Sequence, residues 1–295
     1  MPKKIKWILL SILAILAIIL GGFSIHNNQS SNELLIKNNQ LLNEDTSPKD
    51  TQKIKYDDNF KSKQAFNGLS LTQDNIGIPI LYYHSVSPSA DNEVIITPEI
   101  LKSELQYLKD EGYTTLTLNE VSDYLLNSSA IPSKSIVITF DDGYMDNYDN
   151  AFPILKELGM KATIFCITSK LDGSYYLSPN AIKEMSDYGI DIQSHTVTHP
   201  KLDSLTYDEQ LTELKESKKT LESITGKPVT SIAYPFGNFN EDTIKAAEAS
   251  GYSLGFTTNR GLADRNDHYL QIDRIYVSSN YDLKTFKEIL STTNK

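Results

Sequence analysis

The sequence predicts an α/β fold on parallel strands, because strand and helix patterns alternate from about residue 76 to the C-terminus, joined by short connections. Two further observations agree. Runs of β-branched residues such as Ile136-Val137-Ile138 read as strands buried on both faces, and carboxylates and histidines fall just after such runs. Repeated β-α units close into a barrel or lie open as a sheet. In both, chemistry belongs at the carboxyl ends of the strands. A chain of 295 residues with 39% hydrophobic content can bury a proper core, and a formal net charge of −10 argues against a nucleic-acid substrate. The single cysteine, Cys166, lies in the apolar run Thr163-Ile-Phe-Cys-Ile167 and reads as an inert buried thiol. It excludes a disulfide framework and a cysteine-rich zinc site.

Lys3, Lys4 and Lys6 precede an uncharged run over 7–25, and about 20 residues at 1.5 Å rise suffice to cross a bilayer. Residues 1–25 are thus expected to be a signal segment or, by preference, an uncleaved single transmembrane helix that leaves the remainder outside the cell membrane. Residues 26–75 turn polar without a sustained period and are expected to form a disordered linker. A folded domain is expected over 76–295. Its strands are predicted over 78–84, 114–118, 135–140, 162–167, 190–194, 229–233, 253–257 and 272–277. Helices are predicted over 98–111, 119–126, 147–158, 179–188, 206–225, 241–249 and 283–290. Thr97 and Pro98 mark one helix start, Gly159 and Gly226 mark two ends, and Asn238 or Asn240 is expected to cap the helix from residue 241.

The strand over 135–140 runs into Asp141-Asp142-Gly143-Tyr144. Adjacent strand residues face opposite ways, so a turn at Gly143 is needed to aim both carboxylates at one pocket, and two charges so close need a cation or separate partners. After the strand over 190–194 come His195-Thr-Val-Thr-His199-Pro200, two histidines whose spacing suits one face of a helical turn and metal ligation. With Asp142 they make two imidazoles and a carboxylate. That set also describes a non-heme iron oxygenase, against which the contiguous aspartates and the exported placement argue. Tyr234-Pro235-Phe236-Gly237 reads equally as a rigid turn or as an aromatic wall for a sugar ring. Of five histidines, His26 lies in the linker and His268 in a polar loop, whereas His84, His195 and His199 each follow a predicted strand.

Thr139-Phe140-Asp141-Asp142-Gly143, His195-Thr-Val-Thr-His199 and Tyr234-Pro235-Phe236-Gly237, in this order, resemble the polysaccharide deacetylases, the carbohydrate esterase family with the NodB homology domain. The resemblance spans about 78–279 and implies an irregular (β/α) barrel. It implies Asp141 as general base, and Asp142, His195 and His199 as ligands of a divalent metal, usually zinc. Two features depart from the common pattern. Ala233-Tyr234 stands where many members carry an arginine that orients the base, and no histidine follows His268 to supply the usual C-terminal acid. Tyr83-His84 is similar to the N-terminal Tyr-His motif of the branch acting on poly-N-acetylglucosamine, which implies His84 as general acid. Arg274 is a candidate replacement for the missing arginine, the alternative being a surface salt bridge.

The implied function is hydrolytic N-deacetylation of an N-acetylglucosamine-containing polysaccharide, exopolysaccharide or peptidoglycan, with release of acetate. Tyr144, Tyr234, Pro235 and Phe236 are candidate sugar contacts. A catalytically silent glycan-binding wall protein and an O-acetyl esterase on the same scaffold are the alternatives. No obligate protein partner is implied.

Overall fold

The computed structural model describes residues 66–89 and 91–293. All described residues belong to one compact unit. The expected membrane segment over 1–25 lies outside the described residues, as does the expected linker up to residue 65. Among the described residues no helix is long and apolar enough to cross a membrane. The fold begins earlier than residue 76. Phe66 is buried, and Leu71–Thr72 pairs antiparallel with Ile131–Pro132, so apolar residues of the expected linker's end are already committed to the domain.

Seven parallel strands close into a barrel: β1 (Ile80–Tyr83), β2 (Ser135–Phe140), β3 (Thr163–Cys166), β4 (Asp191–Ser194), β5 (Ser231–Ala233), β6 (Leu254–Arg260) and β7 (Ile272–Tyr276). Neighbours follow chain order, and β1 closes the ring by pairing with β7 through Ile275↔Leu81 and with β2 through Leu81↔Ile138. This resolves the choice between barrel and open sheet. Every residue of β2 is buried, because one face lines the interior while the other packs against helices. Around the barrel lie α1 (Pro98–Asp110), α2 (Leu118–Asn127), α3 (Phe152–Leu158), α4 (Pro179–Tyr188), α5 (Tyr207–Thr225), α6 (Glu241–Ala249) and α7 (Leu283–Thr292).

Local chemistry explains most of the boundaries. Thr97 caps α1 with Pro98 in its first turn, Gly226 ends α5 at φ 69°, and Asn240, not Asn238, caps α6 by accepting from the Thr243 amide. The strand expected over 114–118 shortens to Thr114–Thr115, since Thr117 becomes the N-cap of α2 in a capping box with Glu120. The helix expected over 147–158 is split. A single π-helical turn, Asn147–Ala151, precedes α3, whose second residue Pro153 has no N–H to donate back to that turn.

Leu81 is fully buried at the seam where β1 joins both neighbours. Leu81→Ala is expected to destabilise the domain by ~2–5 kcal/mol, read as a lower urea midpoint with an unchanged slope.

Candidate active site

The carboxyl end of β2 delivers the aspartate pair. Asp141 continues the ladder, its amide donating to Tyr83 O at 2.9 Å. Asp142 and Gly143 then adopt left-handed conformations, φ 71° and 72°, and this double turn brings the second carboxylate round toward the same pocket. Glycine is required at 143, where a Cβ would lie 3.1 Å from Cys166 Sγ and 3.3 Å from Cys166 Cα. Cys166 is buried as expected, and desolvation pushes its thiol up to about 12, away from reactivity.

The two carboxylates have different partners. Arg274, from β7, is fully buried and forks Asp141, its Nη1 and Nη2 each donating at 2.8 Å to a separate carboxylate oxygen. The guanidinium also donates to Thr257 O at 3.0 Å and Thr139 Oγ1 at 3.2 Å, and its carbon lies 4.3 Å from the Tyr82 ring centroid. A surface salt bridge is therefore excluded for Arg274. Burial alone would raise the Asp141 carboxyl, but the charge and hydrogen bonds of Arg274 outweigh it and hold the group below its ordinary range.

Asp142 faces the histidines. Its Oδ1 lies 3.4 Å from His195 Nε2 and 3.3 Å from His199 Nε2, and the two Nε2 atoms are 3.2 Å apart. The segment between the histidines is not the helical turn that their spacing predicts. Thr196 and His199 take φ 69° and 61°, and the loop hangs from Glu213 of α5, which accepts from the Val197 and Thr198 amides at 2.8 Å each. The rings converge through a strained loop propped by a helix. Glu213 was invisible in the sequence, being one acidic residue among many on a polar helix.

The donor set fits a divalent cation. His195 Nδ1 is 2.7 Å from Ala233 O, so this nitrogen carries the proton and Nε2 presents a lone pair to the cluster. Three ligand atoms of Asp142, His195 and His199 lie within 4.8 Å of one another. Burial lowers His199 to about 4, reinforced by the charge of His195, which leaves it neutral as a ligand must be. Burial also acts to lower His195, but the hydrogen bond that a protonated Nε2 makes to Asp142 outweighs this and raises it, a proton that a bound cation would displace. Asp142 is depressed in turn, because that same bond outweighs its own desolvation.

His84 follows β1. Burial lowers its pKa, opposed by the charges of Asp141 and Asp142, which places it in the field of the pair. Its ring makes edge contacts with Tyr82 at 5.9 Å and Tyr276 at 6.2 Å between centroids. Among the described residues its Nδ1 has no hydrogen-bond partner.

The expected sugar contacts divide. Tyr144 is raised by burial and by its hydrogen bond with the Asp142 carboxylate, which keeps its phenol protonated beside the ligands. Phe236 is 59% exposed and its ring centroid lies 4.5 Å from that of His199, at the rim of the cluster. Tyr234 and Pro235 do not belong there. Tyr234 is fully buried, donates to Leu270 O at 2.9 Å and stacks on Phe239, so it packs inside the domain wall, and Pro235 is buried beside it. Sequence reasoning missed Tyr175 and Tyr176. Tyr176 stacks on Tyr144 at 5.2 Å, and Tyr175 is 63% exposed. Their only signal was two adjacent aromatics in a loop following β3.

Residues 129–255 match the family model for polysaccharide deacetylase, a stretch that includes the aspartate pair and both cluster histidines. A Bacillus subtilis protein named for this family, YxkH, is 41% identical over 207 residues, covering 70% of this chain and 74% of its own length. The chain belongs to the polysaccharide deacetylase family. Poly-beta-1,6-N-acetyl-D-glucosamine N-deacetylase of Staphylococcus epidermidis is 32% identical over 199 residues, covering 63% of this chain and 68% of its own. Among solved structures, the Streptococcus pyogenes deacetylase PplD, in complex with acetate, superposes with a TM-score of 0.69 at 36% identity, covering 73% of this chain and 99% of its own. This family of hydrolases therefore accounts for the barrel and for the clustering at its carboxyl end.

Arg274→Met would leave Asp141 buried without its counter-charge, an expected loss of ~3–5 kcal/mol at neutral pH. A depressed carboxylate stabilises above its unfolded pKa and ceases to as pH falls through the folded one. Without Arg274, burial instead raises Asp141. The deficit against wild type should thus begin to narrow above about pH 4, as the variant's buried Asp141 takes up its proton, and go on narrowing below that as the wild type loses its own contribution, measured by denaturant unfolding across pH.

Proposed function

We propose that this deacetylase removes N-acetyl groups from an N-acetylglucosamine-containing cell-surface polysaccharide, exopolysaccharide or peptidoglycan, in a metal-dependent hydrolysis that releases acetate. The observation that carries this reading is the division of the aspartate pair. Asp141 is committed to Arg274, while Asp142 shares its pocket with His195 and His199. Asp142, His195 and His199 would hold the cation, and two imidazoles with one carboxylate suit zinc. When bound, a divalent ion supplies Lewis acidity, lowering the pKa of water toward about 7 and polarising the acetyl carbonyl.

Asp141 stays ionised and fixed in orientation, so it can accept the proton of the attacking water. A backbone N–H near Tyr144 would serve as a donor to the developing oxyanion. His84, as imidazolium, gives its proton to the amide nitrogen as the C–N bond breaks. Burial lowers the pKa of His84 on balance, and the charges of Asp141 and Asp142 oppose that shift, so the proton is readily given up once it is held there. Arg274 acts on the base alone, standing in for the arginine absent at Ala233-Tyr234. Phe236 offers an exposed ring to a sugar face at the site's edge. The lysines before the apolar run over 7–25 support a membrane-anchored domain working outside the cell on polymers of the envelope.

Asp141→Asn is expected to abolish acetate release from N-acetylglucosamine oligomers while bound metal, measured by elemental analysis, stays at wild-type level. Retained activity would remove Asp141 from the base role. His84→Ala is expected to cost about 10² to 10⁴ in kcat.

A further inference from the structure

The side chain of His84 is weakly held. Its Nδ1 has no partner among the described residues, and its ring meets those of Tyr82 and Tyr276 edge-on without a hydrogen bond. The place of its imidazole therefore depends on its backbone. That backbone is gripped from one side by the segment that follows the aspartate pair. The Asp146 carboxylate accepts from the Ser85 hydroxyl and from the Val86 amide, the latter at 3.0 Å. Asn147 is fully buried and its Nδ2 donates to His84 O at 2.8 Å and to Asp146 Oδ1 at 3.2 Å. Asn150 Nδ2 donates to Val86 O at 2.8 Å.

Both partners of the Asn147 amide accept, so the orientation of that amide is settled by its surroundings. Its Oδ1 is left buried without a partner among the described residues. An asparagine kept in place with an orphaned oxygen points to a role for the bonds it does make. The π-helical turn Asn147–Ala151 carries Asn147 and Asn150, and with Asp146 just before it they face one loop. The same short segment begins at Asp142, so one rigid piece of chain joins the metal-facing carboxylate to the backbone of His84.

We propose that Asp146, Asn147 and Asn150 are positioning residues that hold His84 in register with the Asp141–Asp142 pair. The proposal rests on the reading of His84 as proton donor to the leaving nitrogen. A displacement of about 1 Å in such a group can cost on the order of 10²-fold in rate. Loss of position should therefore slow cleavage of an amide, whose amine departs only when protonated. It should affect far less an activated aryl ester, whose phenolate departs without a proton.

The test compares kcat of the full-length protein on an N-acetylglucosamine oligomer and on 4-nitrophenyl acetate. The variants are Asp146→Ala, Asn147→Ala, Asn150→Ala, Asp146→Asn and His84→Ala, each normalised to bound metal. We expect Asp146→Ala and Asn147→Ala to lower the amide-to-ester ratio by roughly tenfold or more with the amide KM within about twofold of wild type. Asp146→Asn keeps an acceptor for the Val86 amide and should recover most of the ratio. Asn150, which is partly exposed, offers a variant that keeps the test open if Asn147→Ala does not fold, with a smaller fall in the same direction. If His84→Ala lowers the ratio while the other variants reduce both rates together, the positioning role is overturned and the proton-donor reading stands. If His84→Ala leaves the ratio at the wild-type value, that reading fails and the proposal falls with it.

Discussion

Two carboxylates on adjacent residues, one buried and one partly buried, repel each other, and the site depends on how that repulsion is relieved. Arg274 takes one of them. Its fork on Asp141 neutralises a charge that is 3% exposed and fixes the plane of the carboxylate with two bonds of 2.8 Å. Asp142 is then free to face His195 and His199, where a cation would supply the balancing charge. Without the arginine, burial would drive Asp141 toward its protonated form, and a protonated carboxyl accepts no proton from water. A buried ion pair of this kind contributes little net stability compared with apolar packing. Its effect here lies in separating two like groups by role.

The barrel makes that pairing possible. Arg274 stands on β7 and Asp141 at the end of β2, 133 residues apart, and they meet because β1 pairs with both strands. Tyr82 of β1 lies under the guanidinium, and Thr139 of β2 accepts a further bond from it. Closure of the ring and orientation of the carboxylate thus share the same residues. Four non-glycine residues in left-handed conformations, Asp142, Thr196, His199 and Phe236, sit at this end of the barrel and carry, flank or abut the ligand set. Strain concentrated on such residues persists because strands and helices fix the segment on both sides.

Much of this was legible in the sequence where the signal is local. The apolar run before Asp141-Asp142-Gly143 marked a buried strand ending in charge, Thr97 and Gly226 marked helix ends, and three histidines after strands marked one face of the fold. What depended on distant parts of the chain was not legible. Nothing near Arg274 in Ile272-Asp-Arg-Ile-Tyr276 announces a buried fork, since a strand residue can face either side until its neighbours are known. Tyr234 looked available because it follows a strand, and its inward packing against Phe239 and Leu270 is settled only by tertiary structure. The histidine spacing named the right pair with the wrong local geometry, because left-handed residues and Glu213 replace the helical turn. Asn147 and Asn150 looked like ordinary polar helix positions, while Pro153 forces a widened turn that aims them at His84's loop.

The central claim is that the aspartate pair is divided, with Asp142 on the cation and Asp141 on Arg274. The most direct measurement is anomalous diffraction at the zinc edge from crystals soaked in zinc. The account predicts one peak within coordination distance of Asp142 Oδ1, His195 Nε2 and His199 Nε2, with Asp141 still forked by Arg274 and outside the ligand shell. A peak bridging both aspartates, or one at Asp141 with Arg274 displaced, would contradict it.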